Sequence, residues 1–185
     1  MRRLIPDFII EKYRSNEMSG SFQAAAIFVD LSGFSRLTDT LARHGQHGAE
    51  VLAGLMHGVF DPLVLADFML VIFEQRVNTV YAYGGFVVGY AGDAFNAVFP
   101  ADQVKDQEVR RCLAALVTIQ KHISENPQIK TVYGTFHLSV KSGMGYGETK
   151  WQIFNSKDNA HASYWFRGES LNGAVLSEKR SMPGD

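Results

Sequence analysis

The chain has 185 residues, 46% of them apolar, which is enough for one ordinary domain with a full core and excludes a disordered chain. Eighteen basic against 19 acidic residues leave a net charge of −1, so no basic excess points to a nucleic acid or an anionic membrane. A single cysteine, Cys112, cannot close an internal disulfide, which favours a reducing, cytoplasmic setting.

Residues 4–18 read as a short amphipathic lead-in without the long apolar stretch of a signal peptide. Residues 22–31 are apolar and strand-like, and Ser32-Gly33 turns the chain out of them. From Phe34 to Arg43, apolar residues at Phe34, Leu37 and Leu41 fit a helix, which His44-Gly45-Gln46-His47-Gly48 breaks. Residues 49–83 follow a long helical pattern, interrupted at Asp61-Pro62 because proline disfavours a helix interior. The most apolar stretch, 63–73, is too short to span a bilayer and contains Asp67, so no membrane segment is expected.

Phe86–Ala91 and Ala94–Phe99 read as two strands joined by Gly92-Asp93 in a tight hairpin. Residues 104–124 read as a helix with Val109, Leu113, Leu116 and Val117 on its packed face. The stretch 134–149 reads as a strand region in which Gly143, Gly145 and Gly147 permit close packing or a bulge. Two more strands, 151–154 and 162–167, follow around a polar turn, and 168–179 reads as a last helix. The order predicts an α+β domain of ferredoxin-like split β-α-β type, with a mixed, mostly antiparallel sheet and its helices on one face. The lead-in would occupy 1–21 and the domain 22–185, with a C-terminal end that looks truncated because nothing caps the sheet there.

Two segments carry the chemistry. In Ile27-Phe28-Val29-Asp30-Leu31-Ser32-Gly33-Phe34-Ser35 and in Gly84-Gly85 through Gly92-Asp93-Ala94, a carboxylate stands beside glycine at the end of an apolar run. Paired carboxylates at a sheet edge suit a hard divalent cation, and Mg²⁺ is usually held by one or two carboxylates plus substrate phosphates. His44, His47 and His57 lack the spacing of a zinc site and read as surface residues.

Both segments, in this order, resemble the two metal motifs of the class III nucleotidyl cyclases. Gly48-Ala49-Glu50 fits the start of the family's long helix, and Arg167-Gly168-Glu169-Ser170-Leu171-Asn172 is similar to its late Gly-acid-Thr-x-Asn stretch. The wording is most like the first, metal-supplying domain of soluble tandem-domain adenylyl cyclases. The resemblance implies conversion of ATP to cyclic AMP and pyrophosphate with two Mg²⁺ (or Mn²⁺) ions per site. It implies that Asp30 and Asp93 bridge the ions, that the Leu31 carbonyl adds a ligand, and that Asn172 orients the ribose. Ser32, Gly33, Phe34 and Ser35 would receive the triphosphate at a helix N-terminus.

Three positions depart from the family. Gly89 stands where a base-selecting lysine is expected, Trp165 where a base-selecting acid is expected, and Leu176 where a transition-state arginine is expected. The resemblance therefore implies half a site, completed by a second cyclase domain and inactive alone. The alternative is an inactive, cyclase-like module that dimerises and regulates. The stretch between Asp30 and Asp93 is also longer than the family pattern, with the surplus near 60–73.

Overall fold

The computed structural model describes residues 5–57, 75–102, 104, 106–125, 127–132, 134–156 and 161–182, with only the backbone described at 34–37, 52–57 and 129–131. The extra stretch near 60–73, the Asp61-Pro62 interruption and residues 157–159 of the polar turn read at 155–159 lie outside the described residues. The elements run α1 Asp7–Arg14, β1 Ser19–Ser32, α2 Phe34–Arg43 and α3 Gly45–His57. Helical residues 75–82 (α4) follow. After them come β2 Phe86–Ala91, β3 Ala94–Pro100, α5 Gln107–Glu125, β4 Gln128–Thr131, β5 Gly134–His137, β6 Ser139–Asn155, β7 Ala162–Gly168 and α6 Glu169–Glu178.

Five strands form one antiparallel sheet in the order β2-β3-β1-β6-β7, and β4-β5 form a separate hairpin. The β-α-β-β-α-β connection of β1, β2, β3 and β6 is the expected ferredoxin-like split motif. β1 lies at its centre and is covered on both sides, which is why its sequence is a continuous apolar run rather than an alternation. Ala25, Ile27, Val29 and Leu31 face one core, together with Phe95, Phe99, Val80, Cys112, Ala115 and Ile119. Ala24 and Ala26 face the other, against Val98, Leu171 and Ala174.

Several expectations need correction. Helices cover both faces, not one: α5 and residues of α4 pack on the first core, while α6 packs on the second. β1 starts at Ser19, inside the segment read as lead-in, and α1 packs its Ile9 against Trp151 and Ile153 of the same sheet. β6 is one strand of 17 residues, not two. The hairpin strand β4 was not anticipated. On α5 the buried residues are Glu108, Cys112, Ala115, Ile119 and Ile123, whereas Leu113 and Val117 are 53% and 60% exposed. Val109 and Leu116 do pack partly buried against the first core, so the buried face is rotated from the expected one rather than opposite to it.

The alternating glycines of β6 are explained by α6. A Cβ at Gly143 would strike the backbone at Ala174 and Glu178, and one at Gly145 would strike Ser170 and Ala174. This is the close packing expected of them. Cys112 is fully buried among apolar neighbours, which push its thiol pKa up to about 12, so it is a core residue and no nucleophile.

Candidate active site

β1 and β3 are antiparallel, with Val29 opposite Phe95. One step further, Asp30 at the end of β1 comes beside the β2–β3 turn that carries Gly92 and Asp93. Gly92 has φ +63°, a left-handed conformation that glycine adopts without steric cost and that closes the turn. Both acids are half-buried, and they are close enough to repel one another. Asp30 is held above the usual carboxylate range first by desolvation, then by the charges of Asp93 and Glu178. Lys141 and a hydrogen bond from the Leu31 backbone amide oppose that shift without cancelling it.

Two of these charges were not singled out in the sequence. Lys141 is the cross-strand partner of Asp30 on β6, and its Nζ lies 3.1 Å from Glu178 Oε1 on α6. The third is Arg76, on α4. It is 1% exposed, and burial pushes its pKa down to about 10 against the attraction of Asp93 and Asp30. The acid pair thus sits among two cations and a further acid, drawn from α4, β6 and α6.

Immediately after Asp30 the chain turns at Gly33, with φ +99°, and enters α2 at Phe34. A side chain at Gly33 would also strike the carbonyl of His137, so this position is closed to other residues twice over. No side chain caps α2, which leaves its first-turn amides, those of Phe34 and Ser35 among them, without a side-chain acceptor. Ser32 is the last residue of β1, cross-strand from Ser139. Asp30, Leu31, Ser32, Gly33 and the start of α2 are therefore contiguous with one another and adjacent to Asp93.

Asn172 stands apart. It is exposed on α6, and Leu176, one turn later, is 56% exposed on the same side. The opposite side of α6 is buried, and at its C-terminal end Glu178 pairs with Lys141 and adds its charge to the surroundings of Asp30. Gly89 lies at a bulge in β2, where a Cβ would meet open space. Trp165 is half-buried on β7, with the Arg167 guanidinium 4.2 Å from its ring centroid. His44 and His47 are exposed, as expected of surface histidines, and the side chain of His57 lies outside the description.

The donor set fits a hard cation. Among the described residues no group of three or more His, Cys, Asp and Glu side chains forms a closed cage. Two carboxylates whose mutual repulsion a cation would relieve are oxygen donors of the type hard cations take, with water and phosphates as the remaining ligands. No helix among the described residues is long and apolar enough to cross a membrane.

No family model and no curated protein matches the sequence. Solved structures do match the fold, and they are catalytic domains of nucleotidyl cyclases. The adenylyl cyclase CyaB from P. aeruginosa is 17% identical, with 90% of this chain aligned to 76% of that one at a TM-score of 0.63. The guanylyl cyclase Cya2 is also 17% identical, aligned over 90% of this chain and 74% of that one, with a TM-score of 0.62. The dimeric guanylyl cyclase domain of the RhoGC fusion protein from Blastocladiella emersonii gives 17% identity, 90% and 79% coverage and a TM-score of 0.61. The chain thus has the fold of a class III nucleotidyl cyclase catalytic domain.

Proposed function

We propose that this domain supplies the metal- and phosphate-holding half of an adenylyl cyclase site, which a second cyclase domain completes. The reaction is the conversion of ATP to cyclic AMP and pyrophosphate in the cytoplasm. Asp30 and Asp93 hold Mg²⁺ or Mn²⁺, two ions in the complete site, with the Leu31 carbonyl as a further oxygen donor. Bound there, the metal supplies acidity to the ribose 3′-hydroxyl and countercharge to the phosphates. The backbone at Ser32, Gly33, Phe34 and Ser35 receives the triphosphate, as uncapped helix N-termini commonly receive anions. Asn172 orients the ribose of a nucleotide shared with the partner domain.

The observation that carries this reading is the contiguity of two mutually repelling carboxylates with an uncapped helix N-terminus at one sheet end. Exposure of Asn172 and Leu176 on α6 supports the half-site: both positions are open to a partner domain. The second reading is an inactive dimerising module, favoured by Gly89, Trp165 and Leu176 at positions where the family has a lysine, an acid and an arginine.

Binding of Mn²⁺ with a non-cyclisable ATP analogue, followed by calorimetry, separates the two. The proposal expects binding by the chain that Asp30→Asn or Asp93→Asn abolishes, with negligible cyclic AMP production by the chain alone. Absence of any metal-dependent nucleotide binding favours the inactive module. Rapid cyclic AMP production by the chain alone contradicts the half-site.

A further inference from the structure

Helix α5 carries apolar residues on two sides. One side packs on the sheet; the other, with Leu113, Leu116 and Val117, borders a groove of about 490 Å³. Gly143 and Met144 line that groove from β6, and Ser177 lines it from α6. β7 pairs with β6 only from Thr149 to Asn155, so among the described residues the stretch 143–146 pairs with β1 alone. In an antiparallel pair every second residue turns its N–H and C=O away from the partner strand. The groove therefore joins an apolar helix side to backbone donors and acceptors on an open strand edge, the arrangement that takes up a further strand.

Two polar side chains narrow the occupant. Gln120 lines the groove, and its Nε2 and Oε1 are buried without a hydrogen-bond partner. An unmade bond of that kind is unfavourable, and turning the amide into the groove would cost it no existing bond. A peptide group, with one donor and one acceptor, matches both of its atoms. Lys121 is the one charged residue among those lining the groove, and its exposed pairing with Glu125 at 3.9 Å holds it weakly. A small apolar molecule or a helix would cover Leu113 and Val117 but leave the β6 edge unmet. We propose that this groove takes an extended strand of a partner protein, added to the open edge of β6 between α5 and α6. Alternate side chains of that strand are apolar and lie on Leu113, Leu116 and Val117, and an acidic one meets Lys121. Backbone pairing supplies affinity and the α5 residues supply selectivity, as in other cases of strand addition.

The test selects displayed random octapeptides against the whole chain and synthesises the best binder with blocked ends. Two further versions carry N-methyl groups at alternate residues, one version for each edge of the extended peptide. Binding is followed by calorimetry for wild type, Val117→Asp and Gln120→Leu. N-methylation of one edge should weaken binding by about tenfold or more, because those amides donate to β6, while methylation of the other edge leaves it unchanged. Val117→Asp, at an exposed position, should weaken binding at least as much without loss of fold. Gln120→Leu should weaken it by about tenfold while the protein alone melts no lower than wild type, because an unpartnered buried amide is removed. Failure to enrich any peptide overturns the proposal, as does equal binding after methylation of either edge. So does equal binding by Val117→Asp or Gln120→Leu. Self-association of wild type that Val117→Asp abolishes, seen by sedimentation, would assign the groove to a second copy of this chain and overturn it too.

Discussion

The two ends of the central sheet are built on opposite terms. At one end, Phe8 of α1 stacks on Phe86 at 5.3 Å and meets Phe22, Trp151 and Phe166 edge-on or tilted within 6.0 Å. Rings from β1, β2, β6, β7 and α1 interlock there, and Phe86 and Phe166 join the two outer strands of the sheet. At the other end, Asp30, Asp93, Arg76, Lys141 and Glu178 gather in partly desolvated surroundings. Dispersion and apolar burial stabilise the first end outright. The second keeps like charges together, and the fold holds them there. The difference lies in what holds each end: at the acid end, packing maintains an arrangement that is unfavourable in itself.

The comparison breaks most severely at the aromatic end. Trp151 is 4% exposed, and its truncation in Trp151→Ala should cost about 3–5 kcal/mol, read by urea unfolding. A loss under about 1 kcal/mol would mean that the aromatic end does not hold the sheet together. Next comes the support behind the acids. Gly143→Val drives a branched side chain into the α6 backbone at Ala174 and Glu178, so a loss of roughly 1–3 kcal/mol is expected, with Lys141 released from Glu178. Unchanged stability would show that α6 does not press on β6 as described.

The acid end should respond with the opposite sign. The Asp30 pKa is raised in the fold, so the native state favours the protonated carboxyl. That contribution is complete below the ordinary carboxylate pKa of about 4 and is lost as pH rises through the raised value. Asp30→Asn cannot ionise. In chelator-treated protein it should therefore unfold at a higher temperature than wild type at pH 7, and the gain should disappear below about pH 4. A lower melting temperature at pH 7 would mean that Asp30 contributes more through its partners than desolvation and repulsion cost. The smallest effect belongs to the outer side of α5. Leu113→Ser and Val117→Ser should each change stability by no more than about 0.5 kcal/mol, because both side chains are already largely exposed.

Much of this architecture was legible in the sequence, and the failures have physical causes. β1, α2, the β2–β3 hairpin and α6 follow from local patterns: apolar runs, helical spacing and the Gly-Asp turn. Asp30 and Asp93 could be paired because each follows an apolar run and lies at or near a glycine turn, Gly33 for one and Gly92 for the other. On α5 the apolar spacing points to Val109, Leu113, Leu116 and Val117, whereas the buried residues are Glu108, Cys112, Ala115, Ile119 and Ile123; both sets recur at helical spacing, and only the placement of the helix on the sheet decides between them. Lys141, Glu178 and Arg76 were invisible for another reason. Their roles arise from cross-strand register and from helix placement, and no local spacing encodes either. Lys141 meets Asp30 only because β6 pairs with β1 in this register. Asn172 and Leu176 were legible only through the family resemblance, and the fold adds that both are exposed on α6.

The central claim is that Asp30 and Asp93 act as one cation-holding pair. Its most direct test is calorimetric titration of the intact chain with Mn²⁺ in the presence of a non-cyclisable ATP analogue, for wild type, Asp30→Asn and Asp93→Asn. The account predicts saturable binding by wild type that either substitution abolishes, with both variants still folded. Binding that persists in both variants would contradict it.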